Sequence, residues 1–106
     1  MPDIDYSLYI IRCADDSLYT GIAIDVARRF QEHETGSRGA KFLRGKGPLQ
    51  LEYQQQIGSR SAALRVEYCV KRLDKSAKEA LVAGRTTLAD LNNRTTRRHA
   101  SGVAGG

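Results

Sequence analysis

The sequence predicts an α+β fold in which helices flank a small three-stranded antiparallel sheet. Three observations lead to this prediction. Two runs rich in β-branched and aromatic residues, 7–12 and 18–22, are separated by a short polar segment. A third run, 49–57, alternates in polarity and has the length of a strand. The segments between and after these runs carry helix caps and apolar positions at helical spacing, so both faces of the sheet can be covered.

The first two strands are expected to form a β-hairpin that leads into a helix. Residues 14–17 read Ala-Asp-Asp-Ser, which is typical of a turn. Asp25 is a suitable N-cap for the helix, because its side-chain oxygen can accept a hydrogen bond from a free backbone N–H. The helix runs to about Thr35, where Gly36 is expected to end it.

The third strand follows Pro48 and is predicted to have one apolar side. Strict alternation over 49–57 places Leu49, Leu51 and Tyr53 on that side. The strand therefore extends the hairpin to a three-stranded sheet.

Two more helices follow the third strand. Ser59 is the expected cap of a helix over 60–73, and a short third helix begins at Asp74 or Ser76 and ends near residue 83. The apolar positions of the longer helix repeat at helical spacing: Ala63, Val66, Val70 and Leu73.

The length of 106 residues has room for one domain, which we expect to span 1–90. Residues 91–106 consist largely of Ser, Thr, Ala, Gly and Arg and contain little that can be buried. This composition predicts a flexible, basic and glycine-rich C-terminal tail.

Several classes of protein are excluded by composition. The longest apolar runs cover four residues, whereas a membrane-spanning helix needs about 20. Residues 1–5 are acidic, unlike a secretory signal, so a cytoplasmic location is expected. Cys13 and Cys69 are 56 positions apart and lack zinc-site spacing, which argues against a disulfide scaffold or a zinc site. Both are expected to be core or half-buried thiols.

The net charge of +5 is unevenly distributed, because the acidic part is confined to the N-terminus and residues 37–47 form a basic segment. Its cations alternate with glycines and meet no acidic residue, and they are Arg38, Lys41, Arg44 and Lys46. Such a segment can approach a phosphate backbone closely, because glycine lets main-chain N–H groups come near and the cations displace counterions. A solvated basic loop is the alternative interpretation.

Arg29 and His33 lie one turn apart on the first helix, beside its apolar stripe of Val26 and Phe30. Their stripe is displaced by about 60° from the apolar one, whereas Arg28 should point to water. An arginine and a histidine at the edge of the buried face can reach into a cleft and contact an anion. They can equally be packed stems with solvated heads.

Glu67 lies at the edge of the apolar stripe of the second helix, between Ala63 and Val70. Lys71 is one turn further on, so a surface ion pair is one explanation. A lone Mg²⁺ ligand is the other, because magnesium is often held by one or two carboxylates together with water and phosphate.

Two tyrosines and the three polar residues above recur in a recognisable order. The first strand contains Ser-Leu-Tyr ending at Tyr9, and the second contains Tyr-Thr-Gly beginning at Tyr19, ten residues later. Arg29 follows ten positions after Tyr19, His33 follows four later, and Glu67 lies in the second helix. From the residues alone, Tyr9 and Tyr19 are a cross-strand aromatic pair. In this order and spacing, the five positions resemble those of the GIY-YIG nuclease superfamily.

The resemblance covers about residues 6–84 and implies a fold of the GIY-YIG type. Ser-Leu replaces Gly-Ile in the first motif and Thr20 replaces Ile in the second, and neither change removes a side chain expected to do chemistry. Residues 39–47 further resemble the small single-domain bacterial (YhbQ-like) branch and the related Slx-type nucleases.

The resemblance implies an endonuclease, dependent on Mg²⁺ or Mn²⁺, that hydrolyses DNA phosphodiester bonds. It also leads us to expect structure-selective cutting linked to DNA repair or recombination. By this resemblance Tyr9 accepts a proton from the attacking water, and Tyr19 or His33 orients that water or relays the proton. Arg29 binds phosphate oxygens and Glu67 holds the metal.

The four cations of the basic segment are then expected to hold flanking DNA phosphates without reading bases. The alternative function is a catalytically silent nucleic-acid-binding module, which needs these cations but does not need Glu67. Neither interpretation involves a membrane, and the oligomeric state is left open.

Overall fold

The computed structural model describes residues 4–36 and 38–91, which form a three-stranded antiparallel sheet flanked by helices. Its elements, in chain order, are β1 (Tyr6–Arg12), β2 (Leu18–Ala23), α1 (Val26–Thr35), a 3₁₀ turn (Lys41–Leu43), β3 (Gln50–Gly58), α2 (Arg60–Lys71) and α3 (Lys75–Val82). The predicted α+β class and three-stranded sheet are confirmed. Residues 92–106, the greater part of the predicted tail, lie outside the described residues.

Strand β1 is the centre of the sheet, in the order β2-β1-β3, and is buried on both faces. Successive side chains of a strand point to opposite faces. Leu8 and Ile10 therefore pack with α2 and α3, whereas Tyr9 and Ile11 pack with α1 and the residues around the 3₁₀ turn. The two hydrophobic clusters cover both faces of the sheet, as the sequence predicts.

Helix α1 has the two ends that the sequence predicts. An Asp25 carboxylate oxygen accepts a hydrogen bond from the Arg28 backbone N–H at 3.1 Å. At the other end Gly36 adopts φ 77°, a left-handed conformation that glycine accepts without strain, and its N–H donates to the Glu32 carbonyl at 3.0 Å. These ends fix the position of the helix that carries Arg29 and His33.

The N-caps of helices α2 and α3 are Ser59 and Asp74. Each capping side chain accepts a hydrogen bond from a backbone N–H, at 3.2 Å for Ser59 and at 2.8 Å for Asp74. Asp74, and not Ser76, is thus the cap of α3. Helix α2 ends at residue 71, two residues earlier than predicted. The N–H groups of Arg72 and Leu73 bond to carbonyls three residues back, which tightens the last turn and ends the helix.

Strand β3 differs from its predicted pattern because it contains a bulge. Ile11 pairs with Leu51 and Ile10 pairs with Tyr53, so Glu52 is the extra residue. Leu51 and Tyr53 consequently face opposite sides of the sheet, and the prediction that they share a side is wrong. Tyr53 packs on the α2–α3 face, and Leu51 is exposed.

The two cysteines are free thiols in different surroundings. Cys13 is buried in the cluster beneath α1, as predicted. Cys69 is exposed, contrary to prediction, because it precedes the core residue Val70 and is therefore turned about 100° away from the buried stripe of α2.

Among the described residues, no helix is long and apolar enough to cross a membrane.

Candidate active site

Tyr9 lies at the centre of the candidate site, on β1 and only 1% exposed. Its neighbour across the strand pair is Gly21 of β2. A Cβ atom at position 21 would lie 2.5 Å from the Tyr9 Oη and 2.6 Å from Cζ, closer than real side-chain contacts allow. The phenol ring therefore crosses β2 over a position where a side chain cannot fit.

Tyr19 belongs to the same face of the sheet, because it lies two residues from Gly21 on β2. Its ring centroid is 6.4 Å from that of Tyr9 and 5.6 Å from that of His33. The predicted cross-strand aromatic pair is present and extends to a cluster of three rings.

His33 is 4% exposed, and both of its ring nitrogens have hydrogen-bond partners. Nε2 lies 2.9 Å from the Tyr9 Oη, and Nδ1 accepts a hydrogen bond from the Ala40 backbone N–H at 3.1 Å. Burial lowers the pKa of His33, and the positive charge of Arg29 lowers it further. The imidazole is therefore neutral at neutral pH.

Arg29 brings a positive charge to the edge of the cluster. Its Nη1 donates to the Glu32 carboxylate at 3.0 Å and to the Arg38 carbonyl at 2.7 Å, and its side chain stays one-third exposed. Arg28, by contrast, is 75% exposed, as the helical spacing predicts. One face of the guanidinium is thus fixed by the protein while part of it remains open to an anion.

The Tyr9 hydroxyl is subject to opposing influences. The pKa of Tyr9 is raised to about 12, mainly by burial and also by the charges of Tyr19 and Glu67, against the lowering effect of Arg29. Arg29 thus acts in favour of ionisation. Burial outweighs it, so Tyr9 is protonated at neutral pH in the protein alone.

Glu67 lies on α2, on the other face of the sheet. Its negative charge is nevertheless close enough to raise the pKa of Tyr9. Its side chain is only 18% exposed and pairs with the Lys71 Nζ at 3.4 Å, so the predicted i,i+4 ion pair exists. That pair does not exclude metal binding, because Lys71 is half exposed and can turn to water.

Glu67 suits a divalent cation that takes only one or two ligands from the protein. The described residues contain no group of three or more His, Cys, Asp or Glu side chains placed to hold a metal. Mg²⁺ does not need such a cage, because it keeps most of its waters and takes its remaining ligands from one or two carboxylates and substrate phosphate. A single shielded Glu67, close enough for its charge to act on Tyr9, suits that sparse mode of binding.

The basic segment, described here over 38–47, packs on the same side of the molecule. Arg38, Lys41 and Arg44 are exposed, whereas Lys46 is half-buried and pairs with Asp15 at 3.4 Å. A cavity of about 390 Å³ is lined by the end of α1 and by residues of the segment. Three of the four predicted cations thus face solvent beside the ring cluster.

Phe42, in the 3₁₀ turn of this segment, is a site residue that the sequence did not single out. It is 45% exposed, stacks on Tyr19 at 5.8 Å between ring centroids, and lies 3.8 Å from the Lys46 Nζ. A signal was present, because Phe42 is the one aromatic residue in a stretch otherwise made of Gly, Ala, Ser, Leu, Lys and Arg.

Comparison with known proteins places this arrangement in a family. Residues 5–80 match the family model described as the GIY-YIG catalytic domain. The chain therefore belongs to the GIY-YIG family, a family of nucleases.

Several relatives of this chain are named UPF0213 proteins. The chain is 59% identical over 84 residues to the UPF0213 protein YhbQ of Salmonella typhimurium (strain LT2), covering 79% of this chain and 83% of that protein. It is 59% identical over 80 residues to a UPF0213 protein of Cronobacter sakazakii, with 76% and 83% covered. Among solved structures, the solution NMR structure of the UPF0213 protein BH0048 from Bacillus halodurans matches with a TM-score of 0.50 and 39% identity, covering 83% of this chain and 93% of that one.

Proposed function

We propose that this protein is a Mg²⁺- or Mn²⁺-dependent endonuclease that hydrolyses DNA phosphodiester bonds. The observation that supports the proposal most is the convergence on one hydroxyl group. The Tyr9 hydroxyl is contacted by His33, its ring lies beside that of Tyr19, and its pKa is lowered by Arg29 and raised by Glu67. These are the five residues for which the family resemblance implies a role.

Arg29 is the phosphate-binding residue in this proposal. Its guanidinium is oriented by Glu32 and by the Arg38 carbonyl, and it is one-third exposed. A guanidinium held in advance stabilises negative charge that develops on nonbridging phosphate oxygens without having to reorganise.

Glu67 would hold the divalent cation, with water and a phosphate oxygen completing the coordination. When bound, the cation would supply positive charge that stabilises the leaving 3′ oxygen. Removing Glu67 therefore removes an interaction on which cleavage depends, whereas the binding of DNA phosphates elsewhere remains.

Tyr9 is the proposed acceptor of the proton from the attacking water, and Tyr19 the residue that packs against it. A buried tyrosine with a pKa of about 12 ionises only where positive charge lies beside it. Arg29 is one source of that charge, and it already lowers the pKa of Tyr9. The dependence of a tyrosine base on added positive charge is a reason for the reaction to require a cation.

The proposal also covers the contacts with DNA around the cleaved bond, the location of the protein and the extent of the domain. The flanking DNA phosphates would be held by four cations of the basic segment: Arg38, Lys41, Arg44 and Lys46. We also propose that the protein cuts DNA structure-selectively and serves DNA repair or recombination. A cytoplasmic location belongs to the proposal. We assign the activity to a domain over 1–90.

The test is a cleavage assay on end-labelled duplex, nicked, branched and single-stranded DNA, with Mg²⁺, Mn²⁺ or EDTA. Glu67→Gln and Arg29→Ala should each lower the cleavage rate by about 100-fold or more, because each removes a charge from the transition state. Arg28→Ala is the matched control: it removes a neighbouring arginine that is 75% exposed, and it should cut at the normal rate.

The second candidate, a catalytically silent nucleic-acid-binding module, is favoured by one observation. In the protein alone Tyr9 is protonated at neutral pH and His33 is neutral and hydrogen-bonded at both nitrogens. If all four proteins bind DNA equally and none cleaves any substrate with either metal, this candidate replaces the nuclease.

A further inference from the structure

We propose that the backbone amide of Ala40, in the basic segment, is a positioning group that holds His33 as the Nε2–H tautomer and so makes the Tyr9 oxygen a hydrogen-bond acceptor. A tautomer is inferred from hydrogen-bond partners, because hydrogen positions are not themselves observed. Here one partner is unambiguous, since a backbone N–H can only donate.

The direction of the two hydrogen bonds follows from that partner. The Ala40 N–H lies 3.1 Å from the His33 Nδ1, so Nδ1 must present its lone pair and carries no proton. A neutral imidazole carries its one proton on the other nitrogen, Nε2. The contact of 2.9 Å between Nε2 and the Tyr9 Oη is therefore an N–H donated by His33 to the tyrosine oxygen.

This direction changes what Tyr9 can do. Its oxygen accepts from His33, and Arg29 acts on the same hydroxyl by lowering its pKa. Both influences favour negative charge on the oxygen, and the hydrogen bond from His33 leaves the Tyr9 proton directed away from His33. If the tautomer were reversed, Tyr9 would donate to Nε2 and its proton would be held inside the protein.

The amide is held in place by close packing of the basic segment on α1. A Cβ at Gly39 would lie 3.0 Å from the His33 Cα and 3.3 Å from its Nδ1, so the segment approaches as closely as a glycine permits. The carbonyl of Arg38 accepts from Arg29 at 2.7 Å, and Ala40 is the N-cap of the 3₁₀ turn. Three consecutive residues of the segment thus touch the two functional residues of α1.

The consequence is that the segment proposed to hold DNA phosphates also fixes the hydrogen-bond direction at the site of cleavage. This consequence rests on the proposed nuclease function, whereas the tautomer does not. Arg38 and Lys41 flank the positioning backbone, so phosphates bound there act on the peptide groups that orient Arg29 and His33.

The first measurement uses the unmodified chain labelled with ¹⁵N. We expect the ¹⁵N chemical shift of the His33 Nδ1 to be that of an unprotonated nitrogen and the shift of Nε2 to be that of a protonated one. We also expect a scalar coupling between Nδ1 and the Ala40 amide nitrogen across their hydrogen bond. His99, the other histidine in the sequence, serves as an internal reference. A protonated Nδ1 at neutral pH would overturn the proposal.

The second measurement removes the donor and little else. Replacing Ala40 by lactic acid exchanges its N–H for an ester oxygen and keeps the methyl group. The oxygen cannot donate to Nδ1, so the shifts of the two ring nitrogens of His33 should converge as the Nδ1–H tautomer gains population. Lactic acid at Ala27, in the first turn of α1 where amides lack an intrahelical acceptor, is the control and should leave both shifts unchanged.

Cleavage by the same proteins separates the positioning role from the proposed function. The Ala40 ester should lower the rate at saturating DNA by about tenfold, as expected when a partner that fixes a histidine tautomer is lost, and should leave the affinity for DNA unchanged. If His33 keeps its tautomer in the ester, the positioning proposal fails whatever the rate. If the tautomer changes as expected but the unmodified chain cuts no DNA, the nuclease proposal fails and the positioning role of the amide stands.

Discussion

Tyr9 shows at the scale of one residue how the fold determines chemistry. A tyrosine on an exposed strand would titrate near 10, whereas burial between β2 and His33 raises the pKa of Tyr9 to about 12. The lowering effect of Arg29 is present and smaller. The residue that the proposed reaction uses as a base is thus kept neutral until further positive charge arrives.

Gly21→Ala tests whether the position of Tyr9 requires the glycine beneath it. The added Cβ would lie 2.5 Å from the Tyr9 Oη, so the ring must move. We expect cleavage to be lost and the free energy of unfolding to fall by about 1–3 kcal/mol, the usual cost of overpacking. Urea denaturation measures the second effect. Gly47→Ala is the control, because nothing lies within 4 Å of its added Cβ, and equal destabilisation by the two changes would contradict this account.

Tyr9→Phe tests the raised pKa through the stability of the fold at high pH. The folded protein holds the Tyr9 proton up to a pH of about 12, while the unfolded chain releases it near 10. Above pH 10 the unfolded state therefore binds fewer protons, and the free energy of unfolding falls as the pH rises. We expect a loss of up to about 2–3 kcal/mol between pH 10 and 12 in the unmodified protein and a smaller loss in Tyr9→Phe. Parallel curves for the two proteins in urea denaturation would rule out the raised pKa.

At the scale of elements, local signals predicted α1 correctly and could not predict β3. Asp25 and Gly36 act on backbone groups within a few residues, so their effect can be inferred from the sequence. The bulge at Glu52 depends on how β3 aligns with β1, and alternation within β3 contains no information on that alignment. The place of Tyr53 therefore required the structure.

The same distinction applies to the candidate site. Spacing brings Arg29 and His33 to one side of α1, so their proximity could be predicted from the sequence. The contact of Phe42 with Tyr19 depends instead on the path of the basic segment, which composition does not specify. The same holds for the contact of Ala40 with His33.

Phe42→Ala tests the part that the 3₁₀ turn plays in the site. Phe42 supports the Tyr19 ring and holds the Lys46 ammonium 3.8 Å from its centroid, yet it is nearly half exposed. Such contacts contribute about 0.5–1.5 kcal/mol to the fold, so we expect the free energy of unfolding to fall by about that amount in urea denaturation. We also expect weaker DNA binding in fluorescence anisotropy, because Lys46 and Tyr19 lose the ring that positions them. Ile24→Ala removes a comparably exposed apolar side chain elsewhere and should leave affinity unchanged. An equal effect of both changes would remove Phe42 from the binding surface.

At the scale of the whole molecule, the site depends on a sheet that is covered on both faces. Tyr9, His33 and Arg29 belong to the α1 face, whereas Glu67 belongs to a helix on the other. Their relative positions therefore depend on how firmly the two layers are joined.

Arg12, at the end of β1, ties the sheet to α3, which packs in the same cluster as α2. Its guanidinium donates to Glu52 of β3 at 2.6 Å, to Glu79 of α3 at 2.6 Å and to Asp16 of the hairpin turn at 2.8 Å. The Arg12 guanidinium is the main reason that the pKa of Glu79 lies below its usual range. One cation thus connects the sheet, a helix and a turn.

Arg12→Met is therefore expected to lower the thermal midpoint at pH 7, where the change leaves a cluster of carboxylates without their shared cation. A carboxyl whose folded pKa is lowered stabilises the fold above its unfolded pKa and loses that contribution as the pH falls through the folded value. The midpoint of the unmodified protein should accordingly fall towards that of Arg12→Met between about pH 5 and pH 2. Circular dichroism at each pH measures the difference, and Arg65→Met, at an exposed position of α2, is the control. A gap between the two proteins that stays constant from pH 7 to pH 2 would show that Arg12 acts by packing its stem and not by its charge.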